Sequence, residues 1–221
     1  MSLVTLFNSE MEKLKFEMIE MPWENKNFYH IFLSQTYYFV QHSTRLLALA
    51  SAHCNLEENS LHRRYAAHIG EEKAHEQIAL SDLNRLSTQP LYPVLPETRN
   101  LFEVQYYKIL HLHPSALLGY ILALEGIASH ICPAFIQKVY DAHSVSCSHF
   151  LKLHVEEDPD HVEKAVQEVM KLSPEHFKYV EENMLQSIYN YSTMMKSILQ
   201  KSRELAEMKE PNEPISQPQW Q

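Results

Sequence analysis

Two imidazoles and a carboxylate recur at helical spacing in the stretch His154-Val155-Glu156-Glu157-Asp158-Pro159-Asp160-His161. At about 100° per residue, His154, Asp158 and His161 fall on one face of a helix. Each offers a lone pair to a divalent cation without disturbing the backbone, so together they make half of a metal site. A second stretch, Glu71-Glu72-Lys73-Ala74-His75, carries an E-x-x-H spacing. His68, Glu72 and His75 share a face there, with Glu71 at its edge. The same face runs through Leu61 and Tyr65 on one side and Ile78, Ala79, Leu83 and Leu86 on the other. Its polar centre therefore points inward, where such groups are costly unless paired or coordinated. Solvated side chains, or an inward His–Glu hydrogen bond without metal, are the plain alternatives for either stretch alone.

Glu125 is the third component. Its helical neighbours Leu118, Ile121, Leu122, Ala128, Ser129 and Cys132 are apolar or small, so the carboxylate sits in the middle of a core-facing stripe. It needs a cation, a buried Arg or a proton. Three separate helices thus send about three imidazoles and three acids into one core. Oxygen-and-imidazole ligation in that number suits two iron or manganese ions better than one zinc.

The positioning elements read as helices throughout. Leu3, Phe7, Met11, Leu14 and Met18 mark an amphipathic helix over 3–20. An aromatic helix without Asp or Glu spans about 27–53, and a third runs from about 60 to 86 before a Pro-rich loop. Shorter and longer helices follow at 99–112, 115–142 and 145–171. Pro159 should kink or split the last of these beside Asp158, or Asp158 could cap a new helix there. A final helix opens at Ser173-Pro174-Glu175 with a stripe of Phe177, Met184, Ile188, Tyr191, Met195 and Ile198. From about 202 the chain turns polar and Pro-containing, which reads as a disordered tail over 202–221. The expectation is an all-α bundle of about seven helices, forming one domain over 1–201.

Composition narrows the function. The chain has 221 residues, enough for one sizeable core, and only 3 Gly, few for a turn-rich β architecture. A net charge of −9 with no basic cluster argues against nucleic acid or an anionic membrane surface. Cys54, Cys132 and Cys147 are far apart, as expected of reduced thiols in a cytoplasmic protein. No signal-peptide core opens the chain. The most membrane-like stretch, 116–136, carries Glu125 near its middle, so a buried core helix explains it better. An apolar helix face could support a homodimer.

The ordered triple of E-x-x-H, a lone Glu about fifty residues on, and H-x-x-x-D-x-x-H about thirty further resembles the heme-oxygenase-like diiron oxidases. These are relatives of the thiaminase-type proteins and of the oxidase that completes pyrroloquinoline quinone. The likeness covers roughly 27–200 and includes Gln35-Thr36-Tyr37-Tyr38-Phe39-Val40. It implies a heme-oxygenase-like bundle with Glu72, His75, Glu125, His154, Asp158 and His161 as ligands of two Fe(II) ions. O2 would be the co-substrate for oxidising a small organic molecule. Some members place a carboxylate seven residues before the His, where this chain has His68, so His68 or Glu71 could also ligate. Tyr37, Tyr38, Tyr65 and His42 could line the pocket or be plain core.

Four other readings compete. A ferritin-like protein wants a lone Glu on the helix before E-x-x-H, and 27–53 has no acid. A thiaminase-type hydrolase would use a Cys nucleophile with a Glu, and Cys132 lies near Glu125. A heme enzyme would need an early His such as His30 and leaves the later motif unexplained. A non-enzymatic scaffold would have no need of the full ligand set.

Overall fold

The computed structural model describes residues 2–208, and every regular element among them is helical. In chain order these are α1 (Leu3–Ile19), α2 (Lys26–Val40), α3 (Ser43–His53), α4 (Asn59–Glu71) and α5 (His75–Leu86), followed by α6 (Pro96–His111), α7 (Leu117–Gly126), α8 (Ile136–His143), α9 (His149–Val169) and α10 (Pro174–Glu207). The all-α expectation holds, and the seven expected helices become ten because three of them are each divided.

Helix α7 lies at the centre and packs most extensively on α10 and α9. All of its residues except Leu124 are buried. A β-carbon on Gly119 would come within 2.2 Å of the Val180 carbonyl oxygen and 2.7 Å of the Met184 nitrogen. Only glycine lets the two backbones approach that closely. Asn183 on α10 then locks the crossing by donating from Nδ2 to the Ala116 carbonyl and to Gln105 Oε1, both at 2.7 Å. The run Pro114–Ala134 is long and apolar enough to cross a membrane, but 83% of that window is buried inside the bundle. It is the core helix that its central glutamate implied. The α1 stripe is also as expected, with Leu3, Phe7, Met11, Leu14 and Met18 all buried.

The helix breaks carry the functional information. Between α2 and α3 the chain turns at Gln41-His42, although no Gly or Pro marks the position. The cause is tertiary: the His42 ring stacks on Phe102 at 3.9 Å, and Nδ1 lies 2.7 Å from the Tyr106 hydroxyl. The expected helix 60–86 breaks over Glu72–Ala74, where Ala74 adopts a left-handed φ of 67°. That conformation costs a non-glycine residue on the order of 1 kcal/mol. The E-x-x-H residues therefore straddle a break and do not lie along one helix. Helix α7 gives way to a π turn over Ile127–Ile131 and a 3-10 turn over Cys132–Ala134. Pro133, which cannot donate a backbone hydrogen bond, explains the end of the regular helix.

Two expectations are corrected. Helix α9 runs uninterrupted from His149 to Val169, so Asp158 lies inside it and caps nothing. Buried Asp158, His161, Ala165 and Val169 hold the helix against the core on both sides of position 159, enough to keep a proline within one helix. Helix α10 continues to Glu207 with Ser202 buried, so the helical body extends past the expected boundary at 201. The rest of the expected tail, from 209 on, lies outside the described residues.

Candidate metal centre

Three segments meet at the centre of the bundle, two of them at helix breaks. The end of α4 brings His68, the 72–74 turn brings Glu72, and the start of α5 brings His75. Helix α7 contributes Glu125 just before its π turn, and α9 contributes His154, Asp158 and His161. Two donor sets result. Donor atoms of His68, Glu72, Glu125 and His161 lie within 4.8 Å of one another, and so do those of Glu72, His75 and His154. Glu72 belongs to both, one oxygen 3.7 Å from His68 Nε2 and the other 3.5 Å from His75 Nδ1. The turn that breaks the helix is what lets one carboxylate face both sets.

The remaining distances describe a crowded and unsatisfied site. His68 Nε2 is 2.9 Å from Glu125 Oε1, and His161 Nδ1 is 3.7 Å from the same oxygen. Asp158 Oδ1 is 3.5 Å from His161 Nδ1. Yet His68 Nδ1, Glu125 Oε2, Asp158 Oδ1 and His161 Nδ1 are buried without a hydrogen-bond partner. Buried polar atoms are rarely left so, and this many in one place is the mark of donors arranged for a cation. The set of four imidazoles and three carboxylates fits iron or manganese.

Electrostatics agree. Burial drives the Glu125 carboxyl above its ordinary range, outweighing the nearby His68. Burial, aided by the charges of Glu125 and Glu72, pushes Asp158 up to about 7 against the pull of His161. Burial opposes charge on His68, but Glu125 and Glu72 beside it win and hold it up at about 9. Burial works against the Glu72 anion as well, while His68 and His75 outweigh it and keep that carboxyl well below its usual range. Protons are doing the work of a cation here.

His68, left open by the sequence, lies among the donors. Glu71 plays another part: it is held by Arg64 at 2.9 Å and Lys164 at 3.3 Å and lies 3.4 Å from His161 Nε2. It faces one nitrogen of that ring while the other faces the cluster, the arrangement that orients metal-ligating histidines. His154 is oriented likewise, its Nδ1 lying 2.7 Å from the Phe150 carbonyl.

Sequence reasoning missed Asp82, which is fully buried on α5. Its Oδ2 accepts from the Phe150 backbone N–H at 2.8 Å, and Oδ1 is 3.1 Å from His149 Nδ1. Ser148, the residue at the N-cap of α9, makes no side-chain capping bond, so Asp82 caps that helix from across the interface. A lone acid among Ala79, Leu83 and Leu86 was the signal, the same one that exposed Glu125.

A cavity of about 90 Å³ opens onto the centre, lined by His68, Glu72, Glu125, His154, Asp158, Cys132 and a largely apolar wall. Phe39, Tyr120 and Tyr191 line it, not the aromatics singled out from sequence. Tyr65 instead donates to the Pro114 carbonyl, and His42 is engaged with Tyr106. His30 is 3.1 Å from the Pro90 carbonyl and lines a different cleft.

A second cluster lies at one end of the bundle, where donor atoms of Glu58, His113 and His176 also come within 4.8 Å of one another. Here the chain satisfies itself. The Ser115 backbone N–H donates to His113 Nδ1, which leaves Nε2 as the donor to Glu58 at 2.9 Å. His176 stacks on His113 with ring centroids 3.6 Å apart.

Among solved structures, the chain is similar to a domain of unknown function with a heme oxygenase-like fold from Shewanella denitrificans. That match has a TM-score of 0.78 at 19% identity and covers 96% of this chain and 95% of the other. It is also similar to a TenA homolog from Pseudomonas syringae, with a TM-score of 0.72 at 13% identity over 90% and 93% of the two chains. At such identities the likeness is one of fold, the heme oxygenase-like bundle. No curated protein matches the chain. The model of a family described as iron-containing redox enzymes matches residues 30–190, well over half the length, and the chain belongs to that family.

Proposed function

We propose that this protein is an O2-dependent non-heme oxidoreductase that uses two ferrous ions to oxidise a small organic molecule. The observation that carries the reading is the pair of donor sets sharing Glu72, with unpartnered buried donor atoms around it. Glu72, His75 and His154 would hold one ion. His68, Glu125 and His161 would hold the other together with Glu72, and the unpartnered Asp158 Oδ1 is available to that set. A bound ferrous pair supplies the electrons for reducing O2.

The chain does the rest. Glu71, clamped by Arg64 and Lys164, keeps His161 turned to the centre. Asp82 anchors the helix that carries three donors. The apolar wall keeps water from the reacting region and holds the substrate against the donor cluster.

A thiaminase-type hydrolysis at Cys132 gains support from that residue's place in the cavity wall. Against it, burial and the charge of Asp158 drive the thiol strongly upward, so it stays protonated and poorly nucleophilic. The competing outcomes separate in one experiment. Anaerobic Fe(II) loading should give about two irons per chain, and O2 should then be consumed. Glu125→Ala should abolish that consumption while helicity by circular dichroism stays near wild type. A single zinc, or O2 uptake that survives Glu125→Ala, defeats the reading.

A further inference from the structure

Two hydroxyls in the cavity wall, outside the donor cluster, are buried without a partner. Tyr120 on α7 and Thr36 on α2 both line it, both are at least 96% buried, and neither hydroxyl has a hydrogen-bond partner. Their neighbours show that this is not the habit of these helices. Two residues before Thr36, Ser34 donates to the His30 carbonyl, and Gln35 uses both ends of its amide on Pro93, Leu95 and Thr98. A threonine in a helix can also bond the carbonyl one turn back, and Thr36 does not. Burial, aided by the Glu72 charge, raises the Tyr120 hydroxyl and so keeps it a donor.

Besides Ser43, Cys132, Tyr191 and the donor residues, the rest of the wall is hydrocarbon, with Phe32, Phe39, Leu46 and Leu117 among its residues, and no Lys or Arg is among the described residues lining it. A few fixed polar groups in an apolar cavity set a ligand's orientation. Away from the donor cluster the lining has no charged side chain, so the end of a ligand held there meets no ion partner.

We propose that Tyr120 and Thr36 form the hydrogen-bonding subsite for a neutral, mainly aliphatic substrate bearing a hydroxyl or carbonyl group. This deepens the oxidase reading and rests on it for the fate of the bound molecule. Binding, by contrast, can be measured without turnover. Isothermal titration calorimetry on Zn(II)-loaded protein with 1-octanol and octylamine tests it, with metal content determined separately. The alcohol should bind at least ~10-fold more tightly than the octylammonium ion. Tyr120→Phe and Thr36→Val should each weaken it roughly five-fold while leaving metal content and helicity unchanged. No binding of octanol, equal affinity for octylamine, or unchanged affinity in both variants overturns the subsite. Loss of octanol binding with two irons still bound would sink this inference alone. Octanol binding in a protein that takes up no iron would sink the oxidase reading alone.

Discussion

Among the described residues, two clusters of histidine and glutamate at similar spacing have opposite characters. At the end of the bundle, Glu58, His113 and His176 pair among themselves and with Ser115. At its centre, seven residues of the same chemistry crowd together and leave several buried lone pairs unused. Residue type and proximity therefore do not distinguish a metal centre from an internal polar contact. The distinguishing quantity is what the chain itself leaves unsatisfied. A closed hydrogen-bond network gains little from a cation, whereas an open one is stabilised by it.

The largest effect expected from this contrast is on stability. Fe(II) held at about a thousand times its dissociation constant should add roughly 4 kcal/mol, a rise in melting temperature of about 8–16 °C for a chain of this size. Anaerobic calorimetry of the wild type should show it, and Glu72→Ala, which removes the carboxylate common to both sets, should abolish it. Equal melting temperatures with and without Fe(II) would break the comparison at once.

The next effect is one of pH, in the metal-free protein. His68 is raised from 6.5 to about 9, so between those values the folded state holds a proton that the unfolded state has released. Stability must then fall as pH rises through that window. Asp158, raised from 3.8 to about 7, acts in the same direction over its own lower window. The loss from His68 amounts to roughly 3 kcal/mol. Thermal melts of apo protein from pH 6.5 to 9 should decline by several degrees. Iron-loaded protein, in which the cation replaces the proton, should hold level or rise. Parallel curves for the two forms would mean that metal does not bind where the protons do.

A smaller effect tests the scaffold. Asp82→Ala removes the acceptor for the Phe150 N–H and the only side-chain cap given to α9 among the described residues. A cost of about 1–2 kcal/mol is expected. Because α9 carries His154, Asp158 and His161, iron affinity should fall as well. Asp82→Asn, which keeps an accepting oxygen, should recover most of both losses. If stability falls while iron affinity stays unchanged, Asp82 supports the fold without positioning the centre.

What was legible in the sequence, and what was not, follows the same division. A carboxylate on an apolar stripe is conspicuous, so Glu125 and the α9 motif stood out. The bundle followed from helical periodicity, as the buried stripe of α1 shows. The breaks were hidden, because at Gln41–His42 and Glu72–Ala74 no Gly or Pro announces them, and at His42 the contacts with Phe102 and Tyr106 on a distant helix hold the turn. The break at Glu72–Ala74 also concealed that one glutamate could face two donor sets. Pro133 was a readable stop that was overlooked, and Pro159 was a readable stop that the packing of α9 overrides. Thr36 and Tyr120 look like ordinary helix residues until their hydroxyls are seen to lack partners.

The smallest expected effect is the sharpest test of the contrast. His113 is buried enough to be held below the ordinary imidazole range, so it stays neutral, and its Nε2–H is committed to Glu58. A cation entering that cluster would have to displace this proton and break the bond, with no unused lone pair on His113 to receive it. His176→Ala should therefore cost under about 1 kcal/mol, the scale of one partly exposed ring contact. It should leave the iron count at two per chain and the iron-induced rise in melting temperature intact. Zinc, which favours imidazole ligands, is the stricter probe, and titration should saturate equally in the wild type and in His176→Ala. A third zinc per wild-type chain, lost in that variant, would show that a closed network can be opened by a cation, and unsatisfied lone pairs would no longer be the criterion that separates the two sites.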